Sequence, residues 1–233
     1  MSVEEPLQIV DKQLLRFGIL PVFGQLVVPS VADLLAGRAV RSKGYSRLMR
    51  PAWDYVDWRL QQGDVVYSKL LQGRRCLIHR SMYRTLDAIA VRCMNRLATV
   101  DANTPEGIVF DVVDKTPGIP GNELKLMCID VLGIGASSYT KARSVLESRS
   151  CIFGLERSDV HYHTHEQSWY SWNFHPVRRS FQSQKPMTCE QIRSMFGRKF
   201  PGLADREIHA LFPALRFACG EGGKGLDGNI RKL

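Results

Sequence analysis

Three histidines alternate in the run Asp159-Val160-His161-Tyr162-His163-Thr164-His165-Glu166, and no other stretch of the chain is better suited to hold an ion. On a strand, alternate side chains share a face, so His161, His163 and His165 would project together. Imidazole suits zinc or another borderline metal, and Glu166 and His175 stand close by in sequence as further ligands. A wholly local site fails on geometry. Positions i and i+4 of a strand are ~13 Å apart, whereas zinc holds nitrogen at ~2.1 Å. His161 and His163 could share one zinc ion only if the other ligands came from elsewhere. The same row also fits a polar strand edge with Val160 and Tyr162 buried behind it, or a cluster that answers to pH or to phosphate.

Arginine is the second chemistry on offer. The chain carries 32 basic against 23 acidic residues, a net charge of +9, and 22 of the bases are arginine. A guanidinium presents a planar fork of donors that matches phosphate or carboxylate. Between Lys69 and Arg96 seven bases face one acid, Asp87. Arg80, Arg84, Arg92 and Arg96 fall on an i+4 ladder with Ala88 at the missing rung, and form a slanted stripe if this stretch is helical. Arg74 and Arg75 precede the ladder. A further cluster, Arg38, Arg41, Lys43, Arg47 and Arg50, contains no acid. Such stripes are solvated helix faces or phosphate tracks.

Downstream, Trp169, Tyr170, Trp172 and Phe174 are followed by Arg178 and Arg179. Aromatic faces interleaved with arginine serve single-stranded nucleic acid, because bases stack without regard to sequence while guanidinium groups hold phosphate. They serve a sheet-to-helix core equally well. Motifs of catalysis are missing: the sequence holds no GxSxG, HExxH or DxDxDG pattern. Gly133-Ile134-Gly135 lacks the GxGxxG spacing, and turn chemistry accounts for its glycines. Cys151 and His161 would form a nucleophile and base only if the fold joined them.

Six cysteines, at 76, 93, 128, 151, 189 and 219, include no CxxC pair, so they are expected to be reduced thiols in a cytoplasmic or nuclear compartment. Phe17 to Ala32 is free of formal charge but holds Pro21 and Pro29 and spans 16 residues. That is short of the ~20 a membrane-spanning helix needs. Glu4, Glu5 and Asp11 argue against a secretory signal.

The elements that would position these groups read as follows. Leu7, Val10, Leu14 and Leu15 recur at helical spacing toward Gly18, and Pro29-Ser30 opens a second helix that stops at Gly37. Trp53, Val56 and Leu60 fit a third helix. Val65-Val66-Tyr67 and Cys76-Leu77-Ile78 read as strands around Gly73. Ser81 to Ala98 is the clearest helix, with Ser81 expected at its N-cap. Ile108 to Val113 and Leu124 to Leu132 are apolar runs joined by Pro117-Gly118 and Pro120-Gly121, and are expected to be the buried strands of a sheet centre. Over residues 107–115, GIVFDVVDK resembles the strand ending in Val-Asp-Lys of some plant-virus movement proteins, and no residue role follows from so short a match. Thr188 and Gln191 form a capping-box pattern, and GEGGKGLDG from Gly220 to Gly228 reads as a flexible tail.

These readings combine into an α+β fold. A central, mostly antiparallel sheet is expected, with a helical N-terminal segment, one long basic helix at about 81–98 and a small helical C-terminal piece. Residues 1–180 would form the main domain and 181–233 a helical subdomain with a glycine-rich tail. The function expected is that of a non-enzymatic protein binding RNA or another single-stranded nucleic acid, in a structural or carrier role, viral or in a ribonucleoprotein. Arg74, Arg75, Arg80, Arg84, Arg92, Arg96, Arg178 and Arg179 would contact phosphate, with stacking on Trp169 or Trp172. The alternative is a membrane-surface protein of matrix type that uses segment 17–32 on anionic lipid and assembles with its own copies. A metal-dependent enzyme built on the His161–His165 strand is third.

Overall fold

A helix through the middle of the chain, α4 (Tyr83–Thr99), organises the core. Leu86, Ile89, Ala90, Cys93 and Leu97 are all buried, and their spacing of three and four residues makes this the face around which the other elements collect. The computed structural model describes residues 4–24, 26, 28–40, 49–156, 167–182 and 184–220.

On one side of α4 lies a three-stranded antiparallel sheet of β1 (Ile19–Pro21), β2 (Val65–Leu71) and β3 (Arg74–His79), in the order β1-β3-β2. The β2–β3 hairpin closes on Gln72 and Gly73, both at positive φ (51° and 71°), the handedness that a two-residue turn between twisted strands requires. Ile78 pairs with Ile19 on one side and Val66 on the other. Against this sheet pack α1 (Glu4–Phe17), α2 (Val31–Ala36) and α3 (Arg50–Gln62), burying Val10, Leu14, Val31 and Tyr55. Ser30 and Asp33 close a reciprocal capping box, and Gly37 ends α2 in the left-handed region.

Segment 17–32 belongs to this core. Ile19, Leu20, Val22, Val28, Val31 and Ala32 are buried, so the apolar surface expected to meet lipid is turned inward. Among the described residues no helix is long and apolar enough to cross a membrane.

The expected strand pair at the centre is helical. Residues 105–115 form α5 (Pro105–Lys115), and 121–131 form α6 (Gly121–Leu126) followed by a π-helical turn (Met127–Val131). The local cause is a strong helix start. The Thr104 hydroxyl accepts from the Gly107 N–H at 3.1 Å, and Pro105 occupies the first turn, where its missing N–H costs nothing. Val109, Phe110 and Val113 then point inward while Lys115 pairs with Asp111 at 2.8 Å outside. In the second run Leu124 and Cys128, one turn apart, are buried, but Leu126, Met127, Val131 and Leu132 are exposed. The movement-protein resemblance falls with the strand it required.

A second antiparallel sheet joins β4 (Ile119–Pro120), β5 (Ile152–Glu156) and β6 (Gln167–Ser171) in the order β4-β6-β5. Helix α7 (Ala136–Ser148) leads into β5, and a 3-10 turn (Trp172–Phe174) leads from β6 into the short α8 (Pro176–Arg179). The fold is thus α+β, with two small antiparallel sheets among the described residues.

The C-terminal helices α9 (Cys189–Lys199), α10 (Asp205–Leu211) and α11 (Pro213–Cys219) continue the core. Phe196, Phe200 and Phe212 pack ring on ring, with centroids 4.4 to 6.2 Å apart, and Phe200 stacks on Phe17 at 5.8 Å. One buried cluster runs from Ile19 through Ile89 and Cys93 to Phe212 and Cys219, across the expected boundary at 180. Thr188 and Gln191 form the expected capping box. Cys189 and Cys219, expected as thiols, are joined in a disulfide with Cα atoms 5.5 Å apart, while Cys76, Cys93, Cys128 and Cys151 are free and buried.

Candidate nucleic-acid interface

The arginine ladder divides into residues that hold the fold and residues that face outward. Arg92 and Arg96 are half-buried. The Arg92 guanidinium donates to the Met187 carbonyl at 3.0 Å, and Arg96 pairs with Asp101 at 3.1 Å while lying over the Phe217 ring. These two tie the segment before α9 and the loop after α4 to the helix, and the charge of Arg96 is met by Asp101. Arg80 and Arg84, one turn apart at the start of the helix, are exposed. Arg84 donates one N–H to the Lys185 carbonyl at 3.3 Å, which leaves most of its fork free.

The helix start itself differs from expectation. Ser81 does not cap it. Arg80–Met82 forms a 3-10 turn, and the His79 Nδ1 accepts from the Ser81 N–H at 3.2 Å. Burial holds His79 below its ordinary imidazole range, against the pull of Asp64, so it serves as an acceptor. Asp64 is in turn paired with Arg59 at 2.5 Å.

Two distant parts of the chain add bases here. The Lys199 ammonium donates to the Leu15 carbonyl at 2.9 Å and so caps the C-terminus of α1, where a cation is favoured by the helix dipole. Burial, then the neighbouring Arg198, holds the Lys199 amine below its ordinary range. Exposed Arg16 lies over Phe17 at 5.1 Å, and Phe17 stacks on Phe200 at the end of α9. Arg84 meets the Lys185 backbone at the start of α4, and Arg80 and Lys199 both act on the His79 imidazole, so exposed Arg80 and Arg84 have Lys199 as a basic neighbour. Sequence reasoning missed Lys185 and Lys199, because only tertiary packing brings them to the start of α4.

Arg74 and Arg75 lie at the other end of β3. Arg74 rests against Gly24, and Arg75 covers Trp53 at 5.3 Å. Arg75 also lines a small open cavity of about 70 Å³ with Lys69, Glu147, Phe153 and Gln167. There Lys69 pairs with Glu147 at 2.6 Å and the Ser68 and Ser150 hydroxyls meet at 3.0 Å, so its polar walls bond one another.

Near residue 178 the expectations divide again. Arg178 pairs with the buried Asp87 at 3.3 Å, whereas Arg179 is exposed. Trp169 and Trp172 are 3% and 2% exposed and cannot offer a face to a base. Strand alternation turns Trp169 inward, with Arg143 over its ring at 5.2 Å, and Trp172 is covered by His175 at 4.2 Å. The proposed stacking residues are core residues.

His161 and His163 lie outside the described residues, as does the tail from 221. Among the described residues no three His, Cys, Asp or Glu side chains gather into a metal-binding group. Comparison with protein-family models, with curated proteins and with solved structures gives no match for this chain. The functional reading therefore rests on the site alone.

Proposed function

We propose that this chain is a non-enzymatic nucleic-acid-binding protein, taking RNA in a structural or carrier role, with phosphates running along Arg80, Arg84 and Arg179. The observation that carries this reading is the exposure of Arg80 and Arg84, one turn apart at the start of α4, with Lys199 acting on the same His79 as Arg80 and with Asp64 paired to Arg59. Such a surface raises the local concentration of a polyanion and holds it by displacing counterions.

The test is fluorescence anisotropy of a labelled single-stranded RNA titrated across a range of salt. Binding should weaken with salt, and Arg80→Ala with Arg84→Ala should lower affinity and flatten the slope of log K against log[salt] by about 1.4, at ~0.7 per lost phosphate contact. Absence of binding at low salt, or a double variant that binds like the parent, overturns the proposal.

A membrane-surface role is the second reading. The inward-turned apolar residues of segment 17–32 no longer support it, but the exposed apolar residues Leu126, Met127, Val131 and Leu132, on and beside the π-helical turn, do. Sedimentation with anionic vesicles that is lost in Val131→Asp with Leu132→Asp would favour it over RNA.

A further inference from the structure

With Trp169 and Trp172 buried, another aromatic must meet the bases if the strand on this surface is single. Among the described residues two aromatic side chains are exposed, Trp58 at 42% and Phe174 at 41%. Their surroundings decide between them. Trp58 shares α3 with exposed Asp54 and Asp57, and the adjacent Arg59, which lies over its ring at 5.5 Å, is engaged by Asp11 and Asp64. A polyanion is repelled there. Phe174 is followed by Arg178 and Arg179, and the nearby Asp114 already accepts from Ser171 and from Asn173 at 3.0 Å.

The turn that presents Phe174 is held on every side. Trp172 points inward and donates its indole N–H to Asp87 at 3.0 Å. His175 stacks on Trp172 and caps α8 by accepting from the Val177 N–H at 3.2 Å. Arg178 is fixed to the same Asp87, so Arg179 is left outward one residue on. Asp87 is on α4, three residues beyond Arg84, or ~4.5 Å along the axis. The turn that carries exposed Phe174 is thus anchored through Trp172 and Arg178 to the helix that bears Arg84, and a rigid platform loses little entropy when a base stacks on it.

We propose that Phe174 is a stacking platform for a base of single-stranded RNA whose flanking phosphates are held by Arg179 and Arg84. This rests on the nucleic-acid reading above and makes it specific to unpaired strands, because bases within a duplex have no face to offer.

The experiment compares three labelled probes of equal phosphate count by anisotropy: a single-stranded RNA decamer, a fully abasic strand and an RNA duplex. Phe174→Ala should weaken binding of the decamer by about 5- to 150-fold, the range for loss of one base–aromatic stack, and leave the abasic strand unchanged. Phe174→Trp should restore the affinity, which separates a lost ring from a disturbed fold. A Phe174→Ala protein that binds the decamer like the parent, or a parent that binds duplex as tightly as single strand, overturns the stacking proposal while the phosphate track stands. A parent that binds none of the probes overturns both.

Discussion

Asp87, from the second turn of the central helix, accepts the Trp172 indole N–H at 3.0 Å and pairs with the Arg178 guanidinium at 3.3 Å. Burial pushes the Asp87 carboxyl above the usual carboxylate range, and the Trp172 and Arg178 bonds oppose that rise. Removing the carboxylate leaves a guanidinium and an indole donor enclosed without a partner. Asp87→Ala should therefore cost about 3–5 kcal/mol in urea unfolding. Asp87→Asn, which retains an acceptor for Trp172, should cost less. Equal losses in the two variants would show that the charge on Arg178 is not what the carboxylate serves.

His175 gives the fold a dependence on pH. Burial holds its imidazole down to about 4, against 6.5 ordinarily. Between those values the unfolded chain binds a proton that the native chain does not, so this contribution is full above 6.5 and is lost as pH falls through about 4. His175→Asn retains an oxygen acceptor for the Val177 N–H and removes the titration. The parent should lose more stability than this variant between pH 7 and about 4.5, measured by denaturant midpoints. Parallel losses would place the proton uptake elsewhere.

The Cys189–Cys219 bond joins the start of α9 to the end of α11 across a sequence separation of 30. Closing a loop of that length stabilises by about 3–4 kcal/mol through the entropy of the unfolded chain. Reductant, or Cys219→Ser, should lower the denaturation midpoint accordingly. No change on reduction, with two additional thiols already titratable in the native protein, would show that the pair is a dithiol.

The two ends of β3 should behave differently toward RNA. Arg74→Ala with Arg75→Ala should leave RNA affinity within about twofold, whereas Arg80→Ala with Arg84→Ala weakens it, since a residue remote from the track contributes only screened charge. A loss of equal size from the Arg74 and Arg75 pair would move the interface to the other end of the strand.

What could be read in advance was mostly local. The periodicity of α4, the hairpin about Gly73 and the Thr188–Gln191 cap each depend on residues within a few positions of one another. At 108–113 the β-branched composition pointed to a strand, yet Thr104 and Pro105 were already a helix start and the spacing of Val109, Phe110 and Val113 was helical. At 126–132 apolar side chains face solvent, so hydrophobicity could not report burial. For the site, the arginine stripe was legible and its allocation was not. Arg84 and Arg92 meet carbonyls of residues 185 and 187, and a backbone carbonyl leaves no mark in the sequence. Nor does alternation alone reveal that Trp172 turns in while Phe174 turns out, because both lie in a 3-10 turn.

The ammonium cap on α1 comes from residue 199, and the tip of the β2–β3 hairpin is held by a backbone bond from Gln72 to the Leu211 carbonyl at 2.9 Å. Elements from the first third of the chain thus receive their last partners from its final fifth. On a ribosome the N-terminal layer would emerge with the Phe17 ring and the hairpin tip still uncovered, and would stay so until residues 199 to 211 had followed it out. Contacts of such sequence separation are slow to close.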